Sequence, residues 1–157
     1  MITYYIFRHG QTFATKYHTG YWWKIYSADI LEESKIPLKK LGFYLKDIKT
    51  DINLTSEFKR CLQSSQLVSK YSNKVFIKDK RLDEFFLETP EHLKRRVVSL
   101  LFDMENKGYK RVLICTHGVV IQMIINLLSQ SNKSVINPKS GELFIIKGED
   151  IERINFN

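Results

Sequence analysis

The chain has 157 residues, of which 43% are hydrophobic and 27% are charged, and this is the composition of an ordinary globular protein. The length suits one domain with its own core, so we expect residues 1–157 to form a single domain. The two cysteines offer no disulfide framework, and no apolar run reaches the ~18 residues that cross a bilayer. The first residues carry no basic signal-peptide region, so we expect a cytoplasmic protein.

The formal net charge of +8 raises the question of an acidic partner. The basic residues are spread over predicted helix faces, and no nucleic-acid-binding motif accompanies them. A positive field would equally attract a phosphorylated small molecule. We therefore expect neither nucleic acid nor a membrane as a partner, and the sequence leaves the oligomeric state open.

An apolar run over residues 2–7, rich in β-branched and aromatic residues, predicts a buried strand that Gly10 ends. Arg8 and His9 would then lie at the carboxyl edge of a sheet, where open α/β sheets bind ligands. An arginine fork grips phosphate oxygens, and a neutral imidazole can accept a phosphoryl group. Taken alone, the tripeptide is equally compatible with a histidine buried in the core.

Residues 13–26 contain a crowd of aromatic side chains: Tyr17, Tyr21, Trp22, Trp23 and Tyr26. Two interpretations stay open. The segment forms a short loop and helix that pack aromatic rings onto the core, or it forms an aromatic rim over a phosphate pocket and selects substrates.

Apolar residues at helical spacing behind Pro37 predict a helix over residues 38–48, and a short strand follows at residues 52–54. A polar turn at residues 55–57 then leads into a second helix with Arg60 in its first turn. At that position, the guanidinium and the helix N-terminal amides can both face a phosphate.

A further short strand is predicted at residues 75–77, and Glu84 lies beyond it in the apolar segment 82–86. Desolvation by these neighbours would raise the pKa of Glu84 towards the range useful for an acid. Thr89 and Pro90 predict the N-cap and the first residue of the next helix.

The strand predicted over residues 111–116 also ends in a histidine and a glycine, His117 and Gly118, before an apolar helix over residues 119–128. Two strands that each deliver a histidine at a strand-to-helix turn would place both imidazoles at one sheet edge. Residues 143–156 predict a terminal hairpin that extends the sheet.

The chain resembles the histidine phosphatases, the superfamily that includes phosphoglycerate mutase. The resemblance rests on the Arg8-His9-Gly10 motif, the His117-Gly118 turn and Arg60, which lies between them in the sequence. The resemblance runs nearly end to end. It implies an α/β three-layer sandwich, in which helices flank a mostly parallel central sheet with an antiparallel element at the C-terminal end. It also implies an enzyme that hydrolyses a small phosphorylated substrate through a phosphohistidine, without a metal or another cofactor.

The resemblance further implies roles for single residues. His9 would attack phosphorus, and Glu84 would protonate the leaving group, with Asp83 as the alternative acid. The catalytic set is His9, Glu84, His117, Arg8 and Arg60. The predicted substrate-binding residues are Arg8, Gln11, Thr12, Thr15, Arg60, His117 and Gly118. Thr15 departs from the family pattern, because relatives commonly carry an asparagine there that contacts phosphate.

Three alternatives share this pocket: a phosphoglycerate mutase, a protein phosphohistidine phosphatase and a non-catalytic phosphate-binding module. The chain lacks the longer insertions usual in mutases, and its Thr116-His117-Gly118 turn and Glu84 look more like those of small-molecule phosphatases. The intact set of pocket residues argues against a silent module. The sequence does not identify the substrate.

Overall fold

The computed structural model describes residues 1–129 and 137–157. The strands of this part are β1 (Thr3–Arg8), β2 (Ile52–Thr55), β3 (Ile77–Lys78), β4 (Arg111–Thr116), β5 (Glu142–Lys147) and β6 (Asp150–Asn155). The helices are α1 (Phe13–Tyr17), α2 (Lys35–Leu45), α3 (Lys59–Ser72), α4 (Pro90–Asn106) and α5 (Gly118–Ser129). Short 3-10 turns lie at Trp22–Lys24, Glu32–Ser34 and Lys80–Leu82.

The strands form one mixed sheet in the order β3-β2-β4-β1-β5-β6. β1, β2, β3 and β4 are parallel, whereas β5 runs antiparallel to β1 and β6 runs antiparallel to β5. The predicted fold class is therefore confirmed, including the antiparallel hairpin at the C-terminal end.

Alternation along the central strands divides the core between the two faces of the sheet. Val112 and Ile114 of β4 pack with the buried apolar residues of α4 and α5. Leu113 and Cys115 of the same strand pack with those of α2 and α3 on the other face. Because β1 and β4 are covered on both sides, they are continuous apolar runs in the sequence.

Local sequence signals predict where α4 and α3 begin. Thr89 caps α4, since its hydroxyl accepts a hydrogen bond from the His92 backbone N–H at 3.2 Å, and Pro90 is the first helical residue. Arg60 is the second residue of α3, as predicted. None of the described helices combines the length and apolar composition that crossing a membrane requires.

Two predicted elements lie at shifted positions. α2 begins before Pro37 and ends at Leu45, because a 3-10 turn leads directly into it. The edge strand pairs with β2 through Ile77 and Lys78 instead of residues 75–77. Val75 is 80% exposed and buries little apolar surface. Backbone pairing with β2, and not the apolar side chain of Val75, therefore sets the start of this strand.

Gly42 lets α2 approach α3 closely. A Cβ at this position would lie 2.8 Å from the Tyr71 Cβ and 3.1 Å from the Val68 carbonyl oxygen. We expect Gly42→Ala to lower the free energy of unfolding by about 1–2 kcal/mol, because overpacking outweighs the gain in helix propensity. Urea denaturation measures this, with the exposed helix substitution Gln66→Ala as control. Wild-type stability of Gly42→Ala would contradict the close approach.

Candidate active site

The sheet register brings the two histidines together at the carboxyl edge. Arg8 pairs with Thr116 across β1 and β4, and the His9 backbone N–H still donates to the Thr116 carbonyl at 3.0 Å. His9 and His117 therefore leave the sheet side by side, with ring centroids 5.1 Å apart. Both are fully buried.

The contacts of His9 define which ring nitrogen is free of a proton. Nδ1 lies 2.8 Å from the Gly10 carbonyl oxygen, which can only accept, and Nε2 lies 3.2 Å from the Arg60 Nε–H, which can only donate. The proton is therefore on Nδ1, and Nε2 is the unprotonated nitrogen, whose lone pair accepts from Arg60. Burial, followed by the charges of Arg60 and Arg8, holds the pKa of His9 well below its ordinary value.

Arg60 is a fully buried cation in the first turn of α3. Its Nη1 donates to the Ile25 carbonyl, and its guanidinium carbon lies 4.2 Å from the Tyr21 ring centroid and 5.2 Å from that of Phe58. Its Nη2 has no hydrogen-bond partner among the described residues. A buried guanidinium with a donor left over is suited to hold an oxyanion.

A chain of contacts orients His117. Its Nε2 lies 2.9 Å from the Ser56 hydroxyl, and Ser56 donates to the Asp83 carboxylate at 2.7 Å. Because the Ser56 hydroxyl donates its only proton to Asp83, it can only accept from His117. The His117 proton therefore lies on Nε2. Burial is the first cause that holds the pKa of His117 well below its ordinary value.

Glu84 completes the cluster from the other side. Its Oε2 lies 3.4 Å from the His117 Nδ1 and 3.5 Å from the Arg60 Nη2, and its side chain is 14% exposed. Burial raises the pKa of Glu84, although Arg60 opposes the shift. The sequence-predicted catalytic side chains His9, Arg60, His117 and Glu84 thus lie together.

Arg8 lies at the rim of this cluster. Its Nη1 donates to the Pro138 carbonyl at 2.8 Å, and its buried Nε has no hydrogen-bond partner in the described part of the chain. A Cβ at Gly118 would lie 3.5 Å from the Arg8 guanidinium carbon, so glycine leaves this space to the arginine.

Thr12 and Thr15, two of the predicted substrate-binding residues, use their hydroxyls in local structure. They form a capping box at the start of α1, and the Thr12 hydroxyl also lies 3.0 Å from the Tyr21 hydroxyl. Thr15 and Gln11 line a cavity of about 540 Å³ together with Arg8. A contact of Thr15 with phosphate stays a prediction.

The aromatic segment divides into two parts. Trp22 and Trp23 are 76% and 85% exposed, so they do not pack onto the core. Tyr21 covers Arg60, and the Tyr26 ring lies 4.9 Å from Phe58, whose own ring lies 5.4 Å from His117. Tyr21 and Tyr26 therefore lie over the histidine cluster, whereas Trp22 and Trp23 face solvent.

Asp83, the alternative acid, makes no direct hydrogen bond or ion pair with either histidine in the described part of the chain. It accepts from the Ser56 hydroxyl and, at 2.8 Å, from the Glu57 backbone N–H. Sequence reasoning therefore missed Ser56 and Asp83 as the pair that orients His117, and it missed Tyr21 as the partner of Arg60. The Ser-Glu turn before α3 was a visible signal for Ser56, whereas Tyr21 had none beyond its aromatic neighbours.

One side-chain set has the spacing of a metal site. Ligand atoms of His9, Glu84 and His117 all lie within 4.8 Å of one another. Arg60 contacts two of the three, His9 and Glu84, and brings a buried positive charge to the same point. This charge opposes a cation and favours an anion, so the cluster fits a phosphate better than a metal.

The lowered pKa values of the two buried histidines make stability depend on pH. Below about pH 6.5, His9 and His117 bind protons in the unfolded chain but stay unprotonated in the folded protein. We therefore expect the free energy of unfolding to fall as the pH decreases from about 6.5. His9→Asn and His117→Asn should each flatten this slope. Urea denaturation at a series of pH values measures it, and the exposed-site change His18→Asn is the matched control. Identical slopes in all proteins would contradict this account.

Comparisons with known proteins bear on the family and the fold of the chain. A family model described as "Histidine phosphatase superfamily (branch 1)" matches residues 4–87, which is more than half of the chain. A search of curated proteins found no match.

Three similar solved structures illustrate the fold. A phosphoglycerate mutase from Bacillus anthracis str. Sterne is 18% identical with a TM-score of 0.77, covering 99% of this chain and 93% of that chain. A putative alpha-ribazole-5'-P phosphatase from Escherichia coli str. K-12 is 16% identical with a TM-score of 0.74, and the coverage is 99% and 96%. The protein histidine phosphatase SixA, complexed with tungstate, is 15% identical with a TM-score of 0.76, and the coverage is 99% and 97%. At these identities the structures establish the fold, and with the family match they lead to one conclusion: the chain belongs to the histidine phosphatase superfamily.

Proposed function

We propose that the protein hydrolyses a phosphomonoester by transferring the phosphoryl group first to His9 and then to water. The observation that carries this proposal is the single buried cluster of one unprotonated imidazole nitrogen, one buried guanidinium and one carboxyl group. His9 Nε2 and the Arg60 Nε–H are 3.2 Å apart, and Glu84 lies 3.5 Å from Arg60. These are a nucleophile, an oxyanion donor and an acid within reach of one phosphorus atom.

In the first step, the Nε2–P bond forms as the ester P–O bond breaks. In the free protein the Arg60 Nε–H donates a hydrogen bond to His9 Nε2. When substrate binds, this N–H donates to a phosphoryl oxygen instead, and the Nε2 lone pair becomes free to attack. Arg8 and Arg60 hold the equatorial oxygens of a loose transition state, and His117 joins them when the bound dianion raises its pKa and protonates its Nδ1. Glu84 gives its proton to the departing oxygen.

In the second step, Glu84 takes a proton from water while that water attacks phosphorus and the N–P bond breaks. The pKa directions support both roles. A lowered pKa keeps His9 neutral, and a raised pKa lets Glu84 carry the proton that it donates. Positive charge from Arg8 and Arg60 removes the need for a metal ion in this mechanism.

Transfer to a second substrate molecule, as in a mutase, is the second candidate. The structure described as a phosphoglycerate mutase is matched over 93% of its length, so the short chain is no argument against it. Access of water favours hydrolysis, because Glu84 lines two cavities, of about 360 and 480 Å³. Phosphate release from a panel of esters and phosphohistidine, with and without a bisphosphoglycerate, separates hydrolysis, mutase transfer and phosphohistidine hydrolysis.

The covalent intermediate is the direct test. We expect radiolabelled phosphate ester to leave an alkali-stable, acid-labile label on His9, and His9→Ala to lower kcat by roughly four orders of magnitude or more, because no other group in the cluster can replace the nucleophile. Rapid quench with peptide mapping measures the label, with His92→Ala as the matched control for loss of an exposed histidine.

These assays should run equally well after exhaustive chelation. Appreciable turnover in folded His9→Ala, or a label on another residue, would sink the mechanism. Activity that is lost on chelation and restored by magnesium or zinc would overturn the metal-free part of it.

Glu84→Gln keeps size and hydrogen bonding but removes the transferable proton. We expect single-turnover phosphoryl transfer to slow by about 100-fold or more with alkyl phosphates and by less than about tenfold with nitrophenyl phosphate, since nitrophenolate leaves without a proton. Single-turnover kinetics isolate this step from attack by water.

Asp83→Asn is the matched control, because asparagine still accepts from Ser56 and should show no dependence on the leaving group. If Glu84→Gln slows both esters equally, Glu84 only shapes the pocket. If only Asp83→Asn discriminates between them, the acid is Asp83.

A further inference from the structure

The cavity that Gln11 and Thr15 line lies beside the histidine cluster, on the β5 side of the sheet edge. We call this the lateral cavity, and its defining side chains are Arg8, Gln11, Thr15, Lys16, Lys139 and Ser140. Its volume of about 540 Å³ is within the range of small-molecule sites. Arg8 also lines the neighbouring cavity that contains Glu84 and Gly118. The Arg8 guanidinium therefore stands between the proposed reaction centre and the lateral cavity.

The cavity wall carries two buried donors that nothing in the described residues satisfies, the Arg8 Nε–H and the Ser140 hydroxyl. The two residues are neighbours, because their backbones form an isolated bridge where β1 ends. Unsatisfied buried donors cost free energy, and a bound ion, a bound water or a catalytic role commonly accounts for them in native proteins. Both residues line the lateral cavity.

The charges around the cavity are predominantly positive. Lys16 forms an ion pair with Glu33, the acidic side chain of this wall. Lys139 is exposed and forms no ion pair with the described residues, and Arg8 forms none either. Two uncompensated cations next to two unsatisfied donors match an anion rather than a neutral group.

We infer that the lateral cavity binds a second anionic group of the substrate, a carboxylate or a second phosphate, while the reacting phosphate occupies the histidine cluster. This inference rests on the proposed function and narrows its substrate class. Arg8 would contact both anions through different N–H groups. The substrates would then be phosphomonoesters with a second acidic group a few bonds from phosphorus, and uncharged sugar or alkyl phosphates would be poor substrates.

Matched substrates test the inference. For the carboxylate, 3-phosphoglycerate is compared with glycerol 3-phosphate, and for the second phosphate, 1,3-propanediol bisphosphate is compared with 3-hydroxypropyl phosphate. We expect wild-type kcat/KM to favour at least one charged member by about tenfold or more, the scale of one charge-assisted hydrogen bond. Lys139→Ala and Ser140→Ala should each remove most of that preference and leave nitrophenyl phosphate turnover within about twofold.

Lys147→Ala is the control, because it removes the same charge from an exposed residue at the opposite end of β5 and should change neither substrate. A wild-type enzyme that treats both members of each pair alike would overturn the inference. So would an equal loss for charged and uncharged substrates in Lys139→Ala.

A binding experiment separates this inference from the proposed hydrolysis. Calorimetry with phosphonocarboxylates of increasing chain length, each against its methyl carboxylate ester, needs no turnover. Tighter binding of the free acid in wild type, reduced in Lys139→Ala and Ser140→Ala, supports the second anion site even if no ester is hydrolysed. Equal binding of acid and ester at every chain length, or a preference that survives both substitutions, overturns it.

Discussion

The contact between Arg60 and His9 is the interaction on which the rest of the site depends. A fully buried guanidinium is tolerated only where its donors find acceptors. Arg60 meets this need with the His9 ring, the Ile25 carbonyl and the Tyr21 face, and it keeps one donor without a hydrogen bond. The core therefore contains a positive charge that is only partly compensated. This uncompensated charge attracts an anion, such as the phosphate of the proposed substrate, into a cluster of otherwise buried side chains.

Backbone pairing gives this interaction its precision. The parallel register of β1 and β4 sets His9 beside His117 before any side-chain contact is made. α3 begins at the end of β2, on the other side of β4, and presents Arg60 to the same edge. Ser56, in the turn between β2 and α3, orients His117. The proposed nucleophile and the residues that support it thus lie at the ends of strands, where the sheet holds them more firmly than free loops would.

The parts of this arrangement that are local in sequence could be predicted. The glycine after each histidine, the N-cap at Thr89 and the position of Arg60 in the first helical turn are written in a few consecutive residues. The register-dependent features could not. Tyr21 reaches Arg60 across 39 positions of chain only because the segment after α1 folds back over α3. Asp83 lies next to Glu84 in sequence but points to Ser56, and only the backbone path decides which of two adjacent carboxylates faces the histidines.

The position of Glu84 links binding to chemistry. In the free protein its carboxylate lies near the His117 Nδ1 and against the Arg60 Nη2, a donor that holds a phosphoryl oxygen in the proposed reaction. An incoming phosphate therefore competes with Glu84 for the same positive charge. Losing the contact with Arg60 removes the largest influence that lowers the pKa of Glu84, and the dianion that replaces it repels a second negative charge. Both effects raise the pKa further, so substrate binding itself favours the protonated form of Glu84 that the first step requires.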